Sequence, residues 1–383
     1  MNPRGLMLIH QFRPVASGAE FQAERLACKL FKLGHQMKVL TTLIDPNSAI
    51  DETINGISVH RSRKPLSYVI YGDISHQFKY LVKNRRNYDI IHSHQCFNHA
   101  VIGTVVAGWF GKKSILKIAC AGDVGDLSVF SKFVGFKRAL EVLHQTDMVI
   151  AVSGEVEKEL CVYGFSPDKI CRIPNGVDAG EFKRSKPFPN RSKVTFILIG
   201  RRTPQKGIDI ALKALKLLSE KGINGKRIEL KVYGWDYPEQ DYYKLAGEVG
   251  VLPMVKFFPY SQTIKDVYHD AHCLLLPSRT EGLSNVLLEA MSFELPVIAT
   301  RISGTVDVVD HGESGILIPP ESPEALAVAM ELVINNPEVS SRLGENARQR
   351  ILEKFSLDEV ARLYSELYHK LCAPAGKGNR DVV

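Results

Sequence analysis

Short apolar runs alternate with stretches of helical periodicity along almost the whole chain. Leu6-Met7-Leu8-Ile9 is a continuous apolar run of strand length. Behind it, Gly18 to Leu33 sets Phe21, Leu26, Leu30 and Leu33 at helical spacing, and Gly34 supplies the stop. Met37 to Leu40 reads as the next strand, and Asp89 to His92, Ser114 to Ile118 and Met148 to Val152 continue the series. Past Pro174 the pattern restarts. Val194 to Ile199 is a strand ending at Gly200, Asp209 to Glu220 a helix, and Ile228 to Tyr233 a strand ending at Gly234. Cys273 to Leu276 and Pro296 to Ala299 add two more strands. Apolar strands alternating with helices predict parallel sheets covered on both faces, hence an α/β fold.

The restart predicts two domains, over residues 1–174 and 175–357, joined by a Pro-, Gly- and Asn-rich linker between Pro174 and Pro189. Open parallel sheets bind ligands beyond the C-terminal ends of their strands, so two in series predict a cleft there. The polar stretch 373–383 is expected to be disordered.

Length agrees, since 383 residues exceed one ordinary core. The longest apolar candidate, Ala100 to Phe110, is interrupted by Gly103 and Gly108 and falls short of the ~18 residues of a membrane span. Leu6 to Ile9 is too brief for a signal-peptide core. Seven cysteines without a C-x-x-C pair predict neither a disulfide framework nor a zinc site, and point to the cytoplasm. Charge changes the picture more. The formal net charge of +7 falls entirely within residues 1–174, and 175–383 are balanced. An anionic partner for the first half accounts for this, and so does simple solubility charge.

Candidate chemistry sits where strands end. Glu281 and Glu289 flank Gly282-Leu283-Ser284-Asn285, a loop entering a helix. With the helix starting near Ser284, the N–H groups of Leu283, Ser284 and Asn285 meet the positive end of its dipole, which suits a phosphate. The two carboxylates then suit hydroxyls on either side of it. Two solvated acids on a surface helix have the same spacing. Gly200-Arg201-Arg202-Thr203-Pro204-Gln205-Lys206-Gly207 puts the cations Arg201 and Lys206 on one loop after a strand, fit for a diphosphate or for a solvated turn. The order of a P-loop is absent. Gly18 permits close approach of a ligand or caps a helix. His92 and His94 alternate at a strand end, as substrate contacts or as internal hydrogen-bonded groups. Lys132 to Leu140 and Arg61 to Arg86 mix cations with aromatics, as at a membrane interface or as helices with inward aromatics. No D-x-D pair is present to hold a catalytic metal.

Together these residues resemble the retaining glycosyltransferases of family 4, with their GT-B fold of two Rossmann-like domains. The resemblance is carried by Ile173-Pro174-Asn175-Gly176-Val177-Asp178, by Gly200-Arg201 with Lys206-Gly207, and by Pro277-Ser278 through Glu289 and on to Met291. Leu295 to Thr300, Gly304, Asp307-Val308-Val309 and Gly315-Ile316-Leu317 continue it. It implies a nucleotide-diphospho-sugar donor, expected to be a UDP-sugar, on the second domain and an acceptor on the first. Arg201 and Lys206 would neutralise the leaving diphosphate. Glu281 would contact sugar hydroxyls, the amides of Gly282 to Asn285 sugar and phosphates, Glu289 the ribose, and Gly18 the phosphates from the first domain. Gly234, beside Tyr233, and Tyr260, in Phe258-Pro259-Tyr260, are the candidates for the base pocket. The helix 358–371 would cross back onto the first domain. Many relatives carry a histidine near the sugar where Lys117-Ile118-Ala119-Cys120-Ala121-Gly122-Asp123 has none, leaving His94, Asp123 and Asp126 as candidate sugar or acceptor contacts. The resemblance implies metal-independent transfer of a hexose to a glycan or lipid-linked glycan in polysaccharide biosynthesis, with no cofactor and no nucleic acid. A location at the inner face of the membrane fits the basic half. An epimerase of the same architecture and a non-catalytic nucleotide-sugar-binding subunit are the alternatives.

Overall fold

A computed structural model describes residues 2–14, 18–63, 74–123, 125–222, 227–237, 239–261 and 263–374. The tail expected to be disordered lies, beyond residue 374, outside the described residues. The chain forms two units, one of residues 1–176 with 357–383, the other of residues 177–356. The division falls two residues beyond the Pro174 boundary for a local reason. Gln22 clamps both backbone groups of Gly176, donating to its carbonyl at 2.8 Å and accepting from its N–H at 3.2 Å. Lys117 holds Asn175 at 2.9 Å in the same unit. Val177 instead donates to Phe355 O at 2.9 Å inside the second unit.

The first unit is an eight-stranded sheet of β1 (Gly5–Leu8), β2 (Met37–Thr42), β3 (Asp51–Ile54), β4 (Ile57–Ser62), β5 (Ile90–His94), β6 (Lys113–Ile118), β7 (Met148–Ala151) and β8 (Ile170–Arg172). Their order is β3-β4-β2-β1-β5-β6-β7-β8. Its helices are α1 (Gly18–Lys32), α2 (Ile74–Lys83), α3 (Asn98–Trp109), α4 (Asp126–Ser131), α5 (Phe136–Leu143) and α6 (Gly154–Val162). Strand alternation sorts the core onto two faces. Met7 and Ile9 enter the cluster that holds α1, while Leu6 and Leu8 join Leu81 of α2 and Val106 of α3. The sheet departs from the all-parallel expectation at β3, which pairs antiparallel with β4. Asn55-Gly56 turns that hairpin with φ of +50° and +83°, the left-handed geometry that Asn-Gly adopts readily.

The second unit is a parallel sheet of β9 (Lys193–Ile199), β10 (Arg227–Tyr233), β11 (Val255–Phe258), β12 (Cys273–Leu276), β13 (Val297–Thr300) and β14 (Ile316–Ile318), in the order β11-β10-β9-β12-β13-β14. Around it lie α7 (Ile208–Lys221), α8 (Tyr242–Val249), α9 (Ile264–His269), α10 (Asn285–Ser292), α11 (Thr305–Val308), α12 (Pro323–Asn335) and α13 (Pro337–Arg350). A π turn over Ile351–Phe355 follows α13, and the chain returns to the first unit as α14 (Leu357–Cys372). There Val360, Ala361, Tyr364 and Tyr368 of α14 share the core of α1.

Candidate functional site

In the second unit four loops meet in pairs at the C-terminal ends of the strands, and glycine is required where they touch. A Cβ on Gly234, after β10, would stand 1.8 Å from the carbonyl oxygen of Gly200, after β9. A Cβ on Gly304 would stand 1.5 Å from Gly282 O, in the loop that enters α10, and Gly304 also has φ +75°. Backbone can approach this closely only where there is no side chain.

The loop between β9 and α7 carries the two expected cations into different surroundings. Arg201 is exposed, and its side chain makes no hydrogen bond or ion pair among the described residues. Lys206 ends a short 3₁₀ turn and donates to Glu281 Oε1 at 2.6 Å. The same oxygen accepts from the buried Ser278 hydroxyl at 2.7 Å. Lys206 and Glu281, read separately in the sequence, thus form one ion pair, with side chains 17% and 8% exposed. Arg279 fastens the two loops together. Its guanidinium forks onto both carboxylate oxygens of Asp209 at 2.9 Å, and its N–H donates to Gln205 O at 2.8 Å. Gln205 returns a bond to Thr280 O at 3.0 Å. Hydrogen bonds to Asp209 and Glu321 push the Arg279 pKa further up, so the staple is permanently charged. A planar fork between a loop and the first turn of a helix is what Arg provides and Lys does not.

Helix α10 begins at Asn285, one residue later than read from the sequence, with Ser284 as its extended N-cap. Its first intrahelical bond runs from Leu288 N–H to Ser284 O at 3.2 Å, so the amides ahead of it lie at the positive end of the helix. Gly282, Leu283, Ser284 and Asn285 form the approach to that end, beside Glu281. Glu289 is a full turn further in and buried, where it accepts from Tyr268 Oη at 3.1 Å.

Beyond β10 and β11 stands an aromatic ladder. Tyr233 and Phe258 stack with ring centres 4.7 Å apart, and Trp235 and Tyr260 stack above them at 5.7 Å and 9° between planes. Trp235 is 63% exposed and Tyr260 40%. Arg202 braces this end by donating to Phe258 O at 2.7 Å and pairing closely with Asp236. Neither Arg279 nor Trp235 stood out in the sequence. Their signals were an arginine two places before Glu281 and an aromatic directly after the strand-ending Gly234. A cavity of about 840 Å³ lies elsewhere, among β14, α12 and α13, and contains none of these loop residues.

The strand ends of the first unit are built differently. Gly18 opens α1. The His94 and His92 rings stack 4.4 Å apart, both buried, with no hydrogen-bond partner for either Nε2 among the described residues. Burial, reinforced by the nearby Lys117 charge, lowers the pKa of His92 to about 3 and that of His94 well below its usual value. Lys117 is itself buried, which lowers its pKa to about 8. Asp126 is buried at the start of α4, where its Oδ2 accepts from Ala119 N at 2.8 Å and burial raises its pKa to about 7. His94 and Asp126 are therefore buried in the first unit, and for the histidines this is the internal one of the two readings that the sequence left open. Asp123 is exposed. Among the described residues no group of three or more His, Cys, Asp or Glu is placed to hold a metal ion, and no helix is long and apolar enough to cross a membrane.

Two units, each built on a mainly parallel sheet with helices around it, have the architecture of the GT-B class. Two family models match in succession, Glycosyltransferase Family 4 over residues 16–181 and Glycosyl transferases group 1 over residues 180–350. The chain belongs to this glycosyltransferase family. It is 26% identical to an uncharacterised glycosyltransferase of Methanocaldococcus jannaschii, over 94% of this chain and 97% of that one. It is also 26% identical to the capsular polysaccharide biosynthesis glycosyltransferase CapM of Staphylococcus aureus, over 56% of each chain. The crystal structure of HepE from Anabaena, in complex with UDP and glucose, superposes with a TM-score of 0.77 at 19% identity, covering 96% of this chain and all of that one.

Proposed function

We propose that this glycosyltransferase moves a hexose-type sugar from a UDP-sugar to a glycan or lipid-linked glycan, with retention and without a metal cofactor, in polysaccharide biosynthesis. The observation that carries the reading is the grouping of Arg201, Lys206 and the N-terminal end of α10 at the strand ends of the second unit. As the glycosidic bond to the diphosphate breaks, negative charge develops on the leaving oxygen. Preorganised cations and amides stabilise it without reorganisation. In this reading Arg201 engages the diphosphate directly. Lys206 turns from Glu281 toward the incoming phosphates, which frees the carboxylate for sugar hydroxyls. Glu289 holds the ribose, and Trp235 with Tyr260 flanks the base at the Gly234 turn. Gly18 and Asp123 are the contacts proposed for the first unit. HepE's complexes with UDP and CapM's part in capsule synthesis support the donor and the product class. The basic first half suits an acceptor carried by an anionic membrane surface.

The test is a thermal-shift and turnover panel of UDP-, GDP- and ADP-sugars on wild type and Lys206→Ala. Selective stabilisation by UDP-sugars, lost in the variant, supports the reading. Stabilisation without hydrolysis or transfer to any glycan acceptor would instead mark a binding subunit, and conversion of donor without acceptor an epimerase.

A further inference from the structure

The two helical layers of the first unit differ in their balance of acids and cations. On one face, α1 and α14 carry acids among their cations, and Lys29 pairs with Asp358 at 2.5 Å and Arg362 with Glu359 at 2.6 Å and with Glu366. On the other, α2, α3 and α5 contain a single acid, Glu141. Lys79 and Lys83 of α2 and Arg86 just beyond it are exposed and make no ion pair among the described residues. The same holds for Lys132, between α4 and α5, and for Lys137 and Arg138 at the start of α5. Apolar groups stand out of this basic layer. Trp109, the last residue of α3, is 67% exposed, with its ring edge against Phe78 of α2 at 5.8 Å. Val134, in the turn before α5, is fully exposed. Unpaired cations with a protruding indole and an aliphatic tip are the chemistry of a surface that meets lipid headgroups and dips apolar groups between them.

We propose that the α2–α3–α5 layer docks on an anionic lipid bilayer, with Trp109 and Val134 as anchors. Charge complementarity selects this occupant. Six cations that make no ion pair among the described residues, on helices with a single acid, face a sheet of negative headgroups favourably. The proposal deepens the functional reading, since it names the surface that would bring a lipid-linked acceptor to the enzyme.

The chain has two tryptophans. In the full-length Trp235→Phe variant, Trp109 alone reports. The probes are phosphatidylcholine vesicles with and without phosphatidylglycerol, read by Trp109 emission and by co-sedimentation. A blue shift and co-sedimentation with the anionic vesicles only, weakening as salt is raised, are expected. Each cation removed lowers partitioning about five-fold. The Lys79→Gln, Lys83→Gln, Lys137→Gln, Arg138→Gln combination therefore loses on the order of 10²–10³-fold, and Val134→Asp weakens binding at a site with no packing to disturb. Absence of binding, equal binding to neutral lipid, or a quadruple variant that partitions like its parent overturns the proposal, as does a response to a soluble anionic polysaccharide but not to vesicles. Stabilisation by UDP-sugar, measured with Trp235 intact, separates the two readings. Docking can fail while donor binding persists, and donor binding can fail while docking persists.

Discussion

Both units place charged groups at the ends of their parallel strands, but one sets an ion pair between its loops and the other sinks its ionisable groups into the interior. In the second unit Lys206 and Glu281 meet at a rim that Arg279 staples shut and glycines bring together. In the first, His92, His94, Lys117 and Asp126 lie beneath the surface, with pKa values moved by burial. An ion pair on a stapled rim is a preorganised charge that an arriving diphosphate can recruit. Buried groups set the shape and protonation of a unit instead, and act on a ligand only through what they hold.

The sharpest way to break this comparison is to remove the lysine of the rim ion pair. Lys206→Ala should lower kcat on the order of 10²–10³-fold, the usual cost of one preorganised donor at a developing negative charge, and leave the fold cooperative. Steady-state kinetics beside thermal melting check it, and near-wild-type turnover would refute the role of the rim. Gly234→Ala comes next. Its Cβ would stand 1.8 Å from Gly200 O, so the loops must part. A loss of about 1–3 kcal/mol in stability is expected, measured by denaturant titration, along with loss of donor affinity. Trp235→Ala should raise the donor KM about ten-fold with kcat little changed, since it removes stacking and no reacting group.

The smallest effects test the hidden groups. His92, with its pKa near 3 in the folded state, gives stability that is full above its unfolded value near 6.5 and is lost as pH falls toward 3. Asp126, raised to about 7, contributes in the opposite sense, full below its unfolded value and lost as pH rises through 7. His92→Gln should therefore flatten the acid side of a stability–pH profile, and Asp126→Asn should remove the decline toward pH 7. Denaturant midpoints between pH 4 and 8 measure both.

The second unit was the more legible of the two in the sequence, for a physical reason. Gly200, Gly207, Gly234 and Gly304 mark close approaches directly, and a loop entering a helix shows its N-terminal amides through the residue pattern alone. Arg279 was not legible, because an arginine beside a glutamate reads as a surface charge until Asp209 is seen opposite it. The Asn55-Gly56 hairpin carried a clear turn signal that a strand-and-helix alternation passes over. In the first unit, alternation told that His92 and His94 share a face but not whether water or a helix covers it. That depends on α14, which returns from the far end of the chain to place Tyr368 Oη 3.0 Å from His92 Nδ1.

The most direct test of the central claim is the affinity of UDP for wild type and for Lys206→Ala by titration calorimetry. The account predicts binding by the wild type and a loss on the order of 10–100-fold in the variant, as for a charge-assisted contact to phosphate. Equal affinity in the two proteins, or no binding of UDP by the wild type, would contradict it.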